Sequence, residues 1–196
     1  MNEVNTNELK ENKQEKRIFQ HIISKKVAAT GIFVAVGLVL SYLNPFGYFE
    51  IFGTKINPFA HFINAITGVL IGIAFSCITA LGIAILRFSL TIGTIHAFHG
   101  GISGAFIVGI VSYFFRKKFP KYVELAALLE PLGTIFIGGT IGHLIAPIGG
   151  IFVIESLFTY WILFALSCIP GSIMGFIILM VLKQARITWE EFFEPQ

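Results

Sequence analysis

Between Val27 and Phe115 only three of 89 residues carry a charge, namely Glu50, Lys55 and Arg87. Between Tyr122 and Leu182 only three of 61 do, Glu124, Glu130 and Glu155. A bilayer core excludes charge and takes about 20 apolar residues per helix, so runs of this kind fit several membrane crossings. A soluble domain of 196 residues could not hide so much apolar side chain, because much of its surface must face water. Charged residues make up 13% of the chain, against roughly 25% in soluble domains. These features exclude a soluble enzyme, a nucleic-acid binder and a disordered chain, and they predict an all-α polytopic bundle in a lipid bilayer.

The remaining charges set the expected topology. Residues 1–26 form a polar segment with six basic and four acidic side chains, and no cleavable signal is expected in it. Helices are predicted over about 26–43, 97–115, 123–147 and 156–183. The apolar run from Pro58 to about Leu90 is either one long helix or two short ones broken near Gly72. Two helices place the N-terminal cluster, Arg116–Lys121 and the Lys183/Arg186 end on one side, gathering 12 of the 14 basic residues there. The positive-inside rule selects that arrangement. The expectation is therefore six helices over 27–183, a tail over 184–196, and both termini cytoplasmic in a multi-pass cell-membrane protein. Residues 44–57 form a long semi-polar connection and a candidate lid. Pro131 and Pro170 should bend the last two helices, where neighbours can repair the backbone bonding. The tail from Ile187 to Phe193 reads as an interfacial amphipathic end.

Small residues inside lipid-embedded helices allow close approach. Gly31 and Ala35 on the first helix have that spacing, which suits either internal packing or docking on a partner membrane protein. Cys77 and Cys168 lie in apolar stretches and read as core residues, not a disulfide.

Ionisable and polar residues inside a membrane are costly, so each is a functional candidate. The set is His61, Asn64, Arg87, His96, His99, Glu130 and His143. Arg87 is either an arginine reaching for headgroups or an anchor that binds a ligand and pins the turn after its helix. Glu130 is either a structural partner for another helix or part of the site. Two constellations suggest other chemistry. Gly101-Ile102-Ser103-Gly104 matches the G-x-S-G motif of rhomboid intramembrane proteases, with His143 on a later helix as a possible base. His96 and His99, with His61 or His143, have metal-ligand character but no defined third ligand. Neither outweighs a binding role, and no metal or cofactor is expected. No G-x-x-x-x-G-K-[ST] phosphate loop is present, so ATP hydrolysis by this chain is not expected.

The segment Ile85-Leu86-Arg87-Phe88…Gly93-Thr94-Ile95-His96-Ala97-Phe98-His99-Gly100-Gly101-Ile102-Ser103-Gly104-Ala105 resembles the L-L-R-N…G-T…A-F-P-G-S-x-x-G-A block of the ThiW family. Pro58-Phe59-Ala60-His61-Phe62-Ile63-Asn64-Ala65 is similar to that family's P-x-Q-H-x-x-N-V, and Ala126-Ala127-Leu128-Leu129-Glu130-Pro131-Leu132-Gly133-Thr134 to its A-A-L-x-E-x-x-G-T. Here His99 stands where the family has proline, Phe88 where it has asparagine and Gly101 where it has serine, and His96 replaces an apolar residue. The resemblance implies an S component of an energy-coupling factor transporter that binds the thiazole precursor of thiamine. Its implied partners are a transmembrane coupling protein and two ATPases. A neutral hydroxyethylthiazole needs an apolar slot and two or three hydrogen-bonding groups. The expected site is His61, Asn64, Arg87, Thr94, His96, Phe98, His99 and Glu130, with Phe46, Tyr48 or Tyr160 as further aromatic candidates. Gly31 and Ala35 are the expected coupling face.

Overall fold

The computed structural model describes residues 2–45, 50–51, 54–146 and 156–194. Phe46, Tyr48 and part of the expected lid lie outside those residues. Helix α1 runs unbroken over Asn2–Tyr42, so the polar segment and the first apolar helix are one element, rather than two joined near residue 26. A minimal hairpin follows, β1 (Glu50–Ile51) and β2 (Thr54–Lys55), pairing Glu50 with Lys55 in antiparallel register. Next come α2 (Pro58–Leu70), α3 (Ile73–Ser89) and α4 (His96–Lys118). Beyond α4 the chain winds as a 3₁₀ segment (Pro120–Leu129), a π segment (Leu132–Gly138) and α5 (Gly139–Ile145). Helix α6 covers Leu157–Gln184 and α7 covers Glu190–Phe193.

Among the described residues four stretches are long and apolar enough to cross a membrane, Glu11–Tyr42, His96–Lys118, Pro120–Ile145 and Leu157–Gln184. Helices α2 and α3, at 13 and 17 residues, reach about 20 and 26 Å at 1.5 Å per residue, short of a hydrocarbon core of about 30 Å. The break between them is at Gly72, as its sequence suggested. Its φ of +84° is a conformation that a side chain disfavours. The amides of Ile71 and Gly72 both donate to the Thr67 carbonyl, and the Gly72 carbonyl accepts from Ser76 at the start of α3.

The bundle is inverted relative to a soluble protein. Ile32, Val36, Phe88, Phe114, Phe158, Leu166 and Ile177 face outward, while Asn64, Thr67, Thr79, Ser112 and Glu130 are buried. This is the distribution expected where lipid is the surrounding solvent and buried polar groups bond one another. Gly171 and Gly175 of α6 bring α2 into close contact, since a Cβ at either would strike Pro58 or Ala65.

The fifth helical stretch departs from the regular helix expected over 123–147. A 3₁₀ segment rises about 2.0 Å per residue instead of 1.5 Å. The segment is kinked at Tyr122, whose φ and ψ of −119° and 18° are not helical, and it leads to the fully buried Glu130. Gly133 and Gly138 then lie directly against α4, at Ser103 and Gly100. Pro131 sits at the junction of the two segments, and α6 runs through Pro170 as one helix.

The basic clusters meet at one end. Lys183 Nζ donates to the Lys121 carbonyl at 2.8 Å and to Glu124 Oε2 at 2.7 Å. The tail is folded back on the bundle there: Lys26 Nζ lies 3.3 Å from the Phe193 ring centroid and the Arg116 guanidinium 4.1 Å from it. Cation–π contacts contribute about 0.5–2 kcal/mol each depending on desolvation. Phe193→Leu, which keeps an apolar side chain, should therefore lower the apparent Tm by roughly 2–8 °C. Thermal unfolding in detergent measures it, and an unchanged Tm would remove the tail from the folded core.

Candidate substrate-binding site

At the end of the bundle opposite the basic clusters, four helices and a turn surround a small cavity. Its walls are Lys55 and Asn57 before α2, Ala60 and His61 on α2, and Arg87 at the end of α3. Thr94 in the turn, His96, Ala97, Gly100 and Gly101 on α4, and Leu163, Phe164 and Ser167 on α6 complete it. The turn holds Arg87 in place from its own backbone. The amides of Ile92 and Gly93 both donate to the Arg87 carbonyl at 3.0 Å, while Thr91 takes a φ of 58°. The cavity is partly open and its volume is about 40 Å³, room for no more than a few water molecules. A ring-bearing ligand therefore enters only if a wall moves.

Two hydrogen-bonded chains support these walls. In the first, His61 Nδ1 lies 2.7 Å from Glu130 Oε1, and the Thr134 hydroxyl donates to the same oxygen at 2.7 Å. Glu130 is fully buried and its Oε2 has no partner among the described residues. Gly104 on α4 makes this possible, since a Cβ there would overlap the carboxylate.

In the second, His99 Nδ1 lies 2.7 Å from the Gly138 carbonyl, and His99 Nε2 lies 3.0 Å from His96 Nδ1. A carbonyl only accepts, so His99 donates from Nδ1. With both rings neutral, His99 Nε2 must then accept from His96 Nδ1, leaving His96 Nε2 a bare acceptor. That nitrogen is buried and has no partner among the described residues. Phe164 packs on both rings, stacked on His99 at 5.6 Å and edge-on to His96 at 6.1 Å. Gly142 leaves the space that His99 fills.

Of the residues singled out from the sequence, His61, Arg87, Thr94 and His96 line the cavity. His99 and Glu130 stand directly behind His96 and His61. Asn64 is buried below, its amide donating to the Gly101 carbonyl at 3.0 Å. Phe98 packs on Phe88 at 5.8 Å, and Phe88 is itself exposed, so the aromatic wall is Phe164 instead. Tyr160 is fully buried between His96 and His143, in edge contact with both. Lys55, Asn57, Phe164 and Ser167 were not foreseen. Asn57 is buried, with its amide nitrogen bonded to Ser41, its backbone amide to Ser167 and its Oδ1 without a partner among the described residues.

The alternative chemistries find no matching geometry. The Ser103 hydroxyl donates to the His99 and Gly100 carbonyls of its own helix, and no hydrogen bond joins it to His143. Among the described residues no three metal-binding side chains converge.

The cavity brings two cations, Lys55 and Arg87, together with the imidazoles of His61 and His96 and the ring of Phe164. The family model described as thiamine-precursor transporter protein (ThiW) matches residues 27–185. The chain belongs to the ThiW family. It is thus a membrane protein of a thiamine-precursor transporter family, and the match covers every helix that forms the cavity. Neither a curated protein nor a solved structure matches it.

Proposed function

We propose that this ThiW protein is the substrate-binding S component of an energy-coupling factor importer. Its ligand is 4-methyl-5-(2-hydroxyethyl)thiazole or a close relative. The observation that carries this reading is the convergence of His61, Arg87, Thr94 and His96 with Phe164 on one cavity. Phe164 offers the ring a face, the His96 Nε2 lone pair accepts from a hydroxyl, and Arg87 donates to a ring nitrogen or oxygen. Each neutral hydrogen bond contributes about 0.5–1.5 kcal/mol net, so ring burial supplies much of the affinity. Lys55 and Asn57, just before α2, border the cavity. ATP-driven release is supplied by a coupling protein and two ATPases. Mass spectrometry of the molecule released on denaturing the purified protein tests the reading. A thiazole mass supports it, and a molecule of another class refutes it.

In the same reading α2 and α3 count as two crossings, making six with both termini cytoplasmic. The meeting of the three basic clusters at one end supports this, since the positive-inside rule puts such an end in the cytoplasm. A cysteine replacing Lys118 should be protected from an impermeant thiol reagent added outside intact cells, and one replacing Glu50 should be labelled. The reverse pattern refutes this topology.

Gly31 and Ala35 both face outward on α1, and a Cβ at Gly31 would meet nothing within 4 Å. Among the described residues the pair lies outside the packed interior, and we assign it to the coupling protein. Gly31→Leu should leave the purified protein folded and able to bind ligand, while abolishing co-purification with the coupling protein. Unchanged co-purification would return this face to lipid.

A further inference from the structure

The charge of the cavity narrows the ligand further than its shape does. Arg87 is only 5% exposed, yet no carboxylate pairs with it among the described residues, and its Nε has no hydrogen-bond partner. Glu130, the buried carboxylate nearest the cavity walls, is already engaged by His61 and Thr134. A second cation, Lys55, lines the same cavity, its Nζ donating to the Thr91 carbonyl at 2.9 Å. A buried guanidinium without a counter-charge is among the costliest groups a fold can hold, and it persists where something else supplies the charge. Its planar fork matches the two oxygens of a carboxylate or phosphate, which it binds more strongly than a neutral acceptor.

We infer that the ligand of this cavity carries an oxyanion, a carboxylate or a phosphate ester, which Arg87 binds and Lys55 faces from the lid side. The proposal takes its ring from the thiazole reading, but its charge rests on Arg87 alone. The neutral alcohol would leave the guanidinium unpaired, whereas the corresponding acid or phosphate would neutralise it. Phe164 then serves the ring.

The test compares three probes on the purified wild-type protein by isothermal titration. They are 4-methyl-5-(2-hydroxyethyl)thiazole, its phosphate ester and 4-methylthiazole-5-acetic acid. Thermal unfolding with inorganic phosphate or acetate, against chloride at equal ionic strength, adds a reading independent of the ring. At least one anionic thiazole should bind tenfold or more tightly than the alcohol, and which one it is separates carboxylate from phosphate. Arg87→Gln should abolish that preference, and should abolish any stabilisation by the free anions. If the alcohol binds as tightly as both anions, the oxyanion is refuted and the thiazole reading stands. If no thiazole binds but a free anion stabilises wild type and not Arg87→Gln, the oxyanion site stands and the thiazole reading falls. If no probe binds and no anion stabilises, both fall. Should Arg87→Gln fail to fold, the wild-type ranking of the three thiazoles decides alone.

Discussion

Glu130→Ala should cost about 3–5 kcal/mol of stability, the range found when one partner of a buried pair is removed. The variant strips His61 and Thr134 of their shared acceptor and opens a cavity against Gly104. At 2–4 °C per kcal/mol for a chain of this size, the apparent Tm should fall by roughly 10 °C. Glu130→Gln is the informative partner variant. Its amide oxygen can still accept from His61 and Thr134, so it should recover more than half of the loss. Thermal unfolding of both in detergent decides. Equal destabilisation would mean that the carboxylate's charge, not its acceptor geometry, holds α2 to the fifth helical stretch.

The second large effect concerns ligand binding. His96 supplies the bare Nε2, and His99 fixes which nitrogen that is. His96→Ala should weaken binding of the thiazole ligand about tenfold, equal to about 1.4 kcal/mol. His99→Ala should lose a similar amount, because His96 is then free to adopt the other tautomer. The double variant should lose little more than either single one, since both remove the same interaction. Additive losses, a hundredfold in the double variant, would show two independent contacts. Arg87→Ala should be weaker still, because the side chain lies in the cavity wall and the turn is built on that residue.

Much of this architecture was readable from charge spacing and glycine. The charge-poor runs marked the membrane portion, and Gly72 marked the break between α2 and α3. The polar residues expected to matter were largely those that meet, because an ionisable group survives in a lipid-embedded bundle only among partners. Other features left no mark in the sequence. The π segment carries Gly133 and Gly138, which lie against α4, and tertiary contact of that kind is invisible to periodicity. Phe164 is one of 21 phenylalanines, and nothing in its neighbours distinguishes it from Phe98. Asn57 lay at the end of the stretch read as a candidate lid, but nothing in its neighbours marked it as a buried residue. The folded-back tail was hidden because aromatic residues beside glutamates suit a lipid interface as well as a cation-lined groove.

The short α2 has a consequence for how the protein is made. It is almost entirely enclosed, and its closest neighbour is α6, reached through Gly171 and Gly175. About 100 residues separate the starts of the two helices. At 5–20 residues per second the ribosome takes roughly 5–20 s to cover that distance. During that interval α2 has α1, α3, α4 and the fifth helical stretch as neighbours but lacks α6, and at 13 residues it is too short to span the bilayer by itself. The cavity is complete only once α6 has emerged with Leu163, Phe164 and Ser167. Nascent chains stopped before α6 should therefore be cleared by membrane quality control instead of accumulating as partial bundles.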